Sequence, residues 1–308
     1  HADHGIRDRV SCLVGSEMCI RYRARIVAGL ERIGRRPRKG KIPGACARRG
    51  SISLSSLGHF LEFGVHTPNI IESLSYYKLI GFTEREIGDV WSHKYAVVSD
   101  GILNIGLHDR VFDAPAITFV QQDLARRARS MTDHGFDFSF MRLDEDVFNE
   151  LGLTDRDGHM VTMLEARTFT GSDEFDDDSV CGTWFELSLP VRDAVRSARF
   201  WASVAPNLLR MREEPTTHMR FDIGGAALGL SESIALKGPS LCFRCHDKEA
   251  LFATVEKHGL PHQKFPGYEG AFVALQAPEG TMLYAFDEDF LGDLIEVEES
   301  DDLSEFPQ

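Results

Sequence analysis

Two glutamates 124 residues apart, Glu62 and Glu186, stand in the same local setting. Residues 60–77 read FLEFGVHTPNIIESLSYY and residues 184–201 read WFELSLPVRDAVRSARFW. In each, a strand-like run holding the glutamate meets a turn and then a helical stretch ending in an aromatic pair, Tyr76 and Tyr77, then Phe200 and Trp201. A carboxylate buried among apolar groups has its pKa raised toward values useful for proton transfer, so both are candidate general bases. The competing reading is a structural carboxylate satisfied by a backbone or arginine partner.

Other chemistry-bearing patterns are weaker. Cys242-Phe243-Arg244-Cys245-His246 fits the C-x-x-C-H of c-type haem attachment. It falls on a predicted strand, where the two cysteines point to opposite faces, and no secretory signal precedes it, so neither haem nor a redox dithiol is expected. GYEG (267–270) and DIGG (222–225) are glycine-bearing turns without phosphate-loop spacing. No Ser-His-Asp or Cys-His arrangement can be read.

The elements that must position the glutamates repeat at the same offset. Pro115 pairs with Pro239 and Asp123 with Asp247; ILNIGL (102–107) faces AALGL (226–230), and DRDGHMVTML (155–164) faces APEGTMLYAF (277–286). Two copies of a unit of about 110 residues follow. Within the first, a strand over 58–67 leads to a helix with Thr67 as N-cap and Pro68 at its first position, closed by Gly81. Short strands at 84–88, 94–99 and 102–108 complete a βαβββ order. A second unit runs from strand 116–120 through a helix capped by Asp123 to strands near 138–143 and 159–165, with an irregular insert at 144–154. The second half repeats both units.

Charge divides the chain. Residues 1–50 hold 13 Lys and Arg against 4 Asp and Glu, net +9; the other 258 hold 21 against 44, net −23. The tract DRVSCLVGSEMCIRYR (8–23) resembles translated sequencing-adapter read-through, so the basic segment is read as spurious or disordered, with a transit peptide as the remaining alternative. The acidic body disfavours nucleic acid and anionic membrane as partners. No apolar run approaches the ~18 residues of a membrane helix. Outside the basic segment only Cys181, Cys242 and Cys245 remain, an odd number without framework spacing, so a reducing, cytoplasmic setting is expected.

Four βαβββ units in tandem resemble the vicinal oxygen chelate superfamily: glyoxalase I, bleomycin-resistance proteins, fosfomycin-resistance enzymes and extradiol dioxygenases. The resemblance rests on the openings FLEF…SLSYYKLIGF and WFEL…SARFW, the Gly-Leu strands at 105–107 and 228–230, and the turns Asp157-Gly158 and Glu279-Gly280. It implies an α+β fold in which four modules pair into two open barrel-like cups. The expected divisions are a basic segment (1–57), cup one (58–168), an acidic linker (169–181), cup two (182–288) and an acidic, disordered tail (289–308) carrying ten acidic residues from position 287 onward.

Family enzymes usually hold a divalent metal with His, Gln or Glu side chains on the first and last strands of each unit. Matching this chain to those places gives Glu62, Gly106, Pro115 or Ala116, and Thr162 in cup one, and Glu186, Gly229, Ser240 and Tyr284 in cup two. Each cup keeps one carboxylate and lacks the other ligands, too few to displace an ion's hydration shell. No cofactor is therefore expected. The alternative is a divalent metal (Fe, Mn, Zn or Ni) on Glu62, His66 and His108: by alternation His66 shares the Glu62 face and His108 lies two residues beyond Gly106, a 2-His-1-carboxylate set.

The candidate sites are thus Glu62 and Glu186 for catalysis, and His66, His108, Thr162, Ser240, Arg244 and Tyr284 for ligand binding. Strand parity gives cup two an inward face of Glu186, Ser188, Gly229, Ser240, Cys242, Arg244, Met282, Tyr284 and Phe286, on which Arg244 either meets a ligand carboxylate or neutralises Glu186. The expected function is a monomeric or homodimeric protein binding a small organic ligand. A metal-dependent lyase or ring-cleaving dioxygenase, and a non-enzymatic regulatory protein, are the alternatives.

Overall fold

The computed structural model describes residues 57–85, 93–143, 149–165, 179–205, 207–213, 216–233, 236–263, 265 and 270–295. The basic segment up to 56, most of the acidic linker and the tail beyond 295 lie outside the described residues. The described residues fall within the unit Ser53–Gln308.

Strands β1 (His59–His66), β2 (Thr83–Arg85), β3 (Tyr95–Ser99), β4 (Asn104–His108), β5 (Ala116–Gln121), β6 (Phe140–Arg142), β7 (Glu150–Thr154) and β8 (Met160–Glu165) form one sheet in the order β2-β3-β4-β1-β5-β8-β7-β6. Helices α1 (Ile70–Leu79) and α2 (Leu124–Asp133) follow β1 and β5. The second half builds the same sheet, β10-β11-β12-β9-β13-β16-β15-β14. Its strands are β9 (Thr183–Pro190), β10 (Asn207–Arg212), β11 (His218–Asp222), β12 (Ala227–Ser231), β13 (Ser240–Cys245), β14 (His262–Gln263), β15 (Phe272–Gln276) and β16 (Met282–Asp287), with helices α3 (Ala194–Val204) and α4 (Lys248–His258). In each unit the first strand runs parallel to the last, β1 with β4 and β5 with β8, and the helix makes the crossover this requires. The first strands of paired units run antiparallel side by side, β1 with β5 and β9 with β13. The fold is α+β, and its two sheets are open.

Several local expectations are corrected. Asn69, not Thr67, caps α1, accepting from the Glu72 N–H; Thr67 instead receives the Asn69 N–H and hydrogen-bonds Ser73. Asp123 precedes α2 in a left-handed conformation and makes no side-chain cap bond. The insert at 144–154 contains β7, whose Leu151 and Leu153 are buried; one missing strand completes the second unit. The tail begins with a helix, α5 (Glu288–Ile295), where disorder was expected: Asp287 accepts the Asp289 N–H and Leu291 is buried.

The halves meet through mirrored contacts. Phe60 and Trp184, which are repeat mates, stack on each other, and the Phe60 N–H donates to the Gly224 carbonyl. The turn of each closing hairpin is held by the first helix of the other half. Glu279 accepts from Ser73 (2.9 Å) and Tyr77 (2.6 Å) of α1. Asp157 accepts from Ser197 of α3, and Asp155 from the Trp201 indole (3.2 Å). Burial, and then the Glu279 charge, push the Tyr77 phenol well up, which keeps it a donor.

Candidate functional site

Glu62 enters the first sheet from β1 with its Cα opposite Thr118, which in turn lies opposite Thr162 on β8. The strand on its other side, β4, carries Gly106, and a Cβ there would stand 2.6 Å from the Glu62 carboxyl oxygens. Glycine is thus required for the carboxylate to lie against the sheet. Glu62 is 2% exposed. The Tyr95 hydroxyl donates to its Oε2, and His108 Nε2 lies 3.4 Å from its Oε1, close enough for charge attraction but without hydrogen-bond geometry. His93 Nε2 contacts the other ring nitrogen of His108 at 2.9 Å. Burial, and then the neighbouring His108, hold His93 below the usual imidazole range.

Glu186 stands at the equivalent place on β9. Its Cα faces Cys242, which faces Tyr284, as Glu62 faces Thr118 and then Thr162. Gly229 again makes room, since a Cβ there would lie 2.1 Å from Glu186 Oε1. His218 Nε2 contacts Oε1 at 2.9 Å, and Arg220 Nε lies 3.5 Å from Oε2 while its terminal nitrogen donates to the Phe185 carbonyl. The strand registers make His218 the mate of Tyr95, Arg220 of Val97, and Ser231 of His108.

The expected site residues therefore divide. Glu62 and His108 come together, with Thr162 in the same row of the sheet. His66 does not join them; it lines a cavity with Tyr284, from the other half. Ser240 is fully buried and donates to the Gly238 carbonyl of its own loop. Arg244 does not pair with Glu186, which is met instead by His218 and Arg220 from β11. Arg244 lies opposite Thr183, at the far end of β9 and past the irregularity at Cys242–Phe243, which takes it away from the carboxylate. Sequence reasoning missed Tyr95, His218 and Arg220 because they sit two strands from their glutamates. The signal available was the glycine between them, which leaves space for a side chain to cross β4 or β12. The expected inward face of the second sheet is largely filled: Cys242, Ala274, Met282 and Tyr284 form a buried cluster packed by Phe185, Leu236, Phe265, Phe272 and Phe286.

No family model matches the chain, and no curated protein matches it. Solved structures do. Catechol 2,3-dioxygenase aligns over 76% of this chain and 88% of its own, at 13% identity and a TM-score of 0.50. An E323L mutant of homoprotocatechuate 2,3-dioxygenase from Brevibacterium fuscum aligns over 75% and 72%, at 14% identity and 0.52. The Arthrobacter globiformis homoprotocatechuate 2,3-dioxygenase aligns over 77% and 82%, at 12% and 0.50. The chain has the vicinal oxygen chelate fold. Within it, the similarity is to the tandem-module arrangement of extradiol dioxygenases.

A divalent metal of the kind the resemblance implies would have to compete with contacts these donors already make. Glu62 Oε2 already accepts from Tyr95, while its Oε1 has no hydrogen-bond partner, and Glu186 is met by His218 and Arg220. Both ring nitrogens of His108 face protein neighbours. Among the described residues no three His, Cys, Asp or Glu side chains gather as an ion requires.

Proposed function

We propose that this is a glyoxalase/bleomycin-resistance/dioxygenase-type protein that binds a small, partly apolar organic molecule without the family's usual metal set. One observation carries the reading. At one of the places where the family presents a metal ligand, each half holds a buried glutamate whose neighbours are the protein's own donors, a phenol and an imidazole in one half, an imidazole and a guanidinium in the other. These groups occupy positions around each carboxylate that an ion's other ligands would otherwise take. Gly106, Thr162, Gly229 and Tyr284 supply no further carboxylate or imidazole. Glu62, with Tyr95, His108 and His93 strung behind it, remains the best-placed proton acceptor among the described residues.

The test has two arms. Metal analysis of purified protein, before and after incubation with Fe(II), Mn(II) and Zn(II), is expected to give well under one tightly held ion per chain. A thermal-shift screen with aromatic and dicarbonyl compounds is expected to return stabilising ligands. Stoichiometric metal lost in Glu62→Gln moves the protein to the metal-dependent lyases and dioxygenases; a metal-free protein with no ligand from the screen is a partner-binding protein.

A further inference from the structure

The filled second sheet leaves an opening at its rim, where the end of β1 comes up against the turn before β16. A cavity of about 440 Å³ lies there, within the range of small-molecule sites. Its floor is apolar and buried: Phe63 and Val65 from β1, Met282 and the ring of Tyr284 from β16. Flat aromatic surface and a soft thioether suit a planar ring as occupant. Each half supplies one side of the floor, so neither makes the site alone.

The polar end of such an occupant follows from one buried group. Tyr284 is 3% exposed and lines the cavity, yet its hydroxyl makes no hydrogen bond among the described residues. A phenol held out of water without a partner forgoes a hydrogen bond, and a ligand that supplies one recovers it. Burial, and then Cys242 beside it, push this phenol up, so it stays a neutral O–H able both to donate and to accept. The side chains of His66 and, at the mouth, Gln276 likewise make no hydrogen bond among the described residues, and each carries donor and acceptor atoms together. Glu279 and Lys237 bring one charge of each sign to the wall, and both Glu279 oxygens already accept hydrogen bonds from α1. These two give no net charge to offset the hydration that an ionic ligand would leave behind.

We infer that this rim cavity binds a neutral aromatic amide or lactam, its ring against Phe63, Val65 and Met282 and its amide edge at Tyr284, where the carbonyl accepts from the phenol and the N–H donates to His66 or Gln276. An amide presents one acceptor and one donor side by side on a planar edge, which matches wall groups that both donate and accept. A ketone of the same shape offers the acceptor alone, and a carboxylate adds a charge. The assignment deepens the small-molecule reading above and rests on it.

Isothermal titration of the full chain with 2-naphthamide, and with the similarly shaped 2-acetonaphthone and 2-naphthoate, tests it. The amide is expected to bind about fivefold more tightly than either, the scale of one net hydrogen bond. Tyr284→Phe removes the hydroxyl and keeps the ring, and is expected to weaken the amide by about the same factor. Gly238 lines the cavity with nothing within 4 Å of where its Cβ would be, so Gly238→Trp can fill the space without a clash at the Cβ and is expected to abolish binding. Thermal melts confirm that each variant is folded. Acetonaphthone or naphthoate binding as tightly as the amide overturns the ligand class. Amide binding left unchanged by Tyr284→Phe or by Gly238→Trp overturns the placement and leaves the small-molecule reading standing. Failure of all three probes overturns this inference, and only failure of the wider ligand screen as well removes the reading on which it rests.

Discussion

Phe60 and Trp184 occupy the same position of the two repeats and stack on one another, with ring centroids 5.8 Å apart and planes inclined by 24°. A contact between repeat mates places them on the pseudo-twofold axis relating the halves. Trp184 is buried, and its indole N–H donates to the Glu186 carbonyl. The axis therefore runs within two residues of both glutamates.

Trp184→Ala is expected to destabilise the protein by about 3–5 kcal/mol through loss of buried aromatic volume. A double-mutant cycle with Phe60→Leu should assign about 1 kcal/mol to the stacked pair itself. Urea melts read both; strict additivity would mean that the stack contributes nothing beyond burial.

Gly106→Ala and Gly229→Ala force a methyl group against a buried carboxylate. Each is expected to cost about 1–3 kcal/mol. The cost should fall sharply in Gly106→Ala/Glu62→Ala and in Gly229→Ala/Glu186→Ala, where the obstruction is gone. Persistence of the full penalty in the double variants would place it in the backbone instead.

Arg220→Ala removes the guanidinium partner of Glu186 and is expected to cost roughly 3 kcal/mol, the scale of stranding a buried charge. Arg244→Ala should cost under ~1 kcal/mol, because its side chain is only half-buried and does not meet the carboxylate. Denaturant melts that reverse this order would restore Arg244 as the partner.

Asp155 gives the fold an acid limit. Burial alone would raise its pKa, but the hydrogen bond and charge of His159 outweigh burial and hold it below the usual carboxylate value. A depressed folded-state pKa contributes stability that is present above the unfolded value near ~3.9 and is lost as pH falls through the lower, folded value. Melts from pH 6 down to pH 2 should therefore show a loss of stability that is smaller in Asp155→Asn, whose own stability should vary less across that window.

Much of the architecture was legible because the duplication repeats whole elements at one offset. Pro115 and Pro239, Asp123 and Asp247, and the two glutamates fixed the unit, and the strand registers place Glu62 and Glu186 at equivalent positions. The partners of those glutamates were not legible. Tyr95, His218 and Arg220 reach them across a neighbouring strand, and which strand neighbours which is a property of the parallel crossover, not of local spacing. For the same reason the alternative in which Arg244 neutralises Glu186 fails: parity fixes a face and says nothing of distance along it. β7 and α5 escaped because acidic, irregular flanking sequence masked short apolar runs.

The reciprocal grip of each half on the other's hairpin turn ties the two copies together, since each half alone would leave its turn carboxylate without the helix partner that the other supplies. The serine–tyrosine pair of one helix faces a glutamate, and the serine–tryptophan pair of the other faces two aspartates. The two copies are matched as lock and key, so neither can be exchanged for its twin without leaving a carboxylate unanswered.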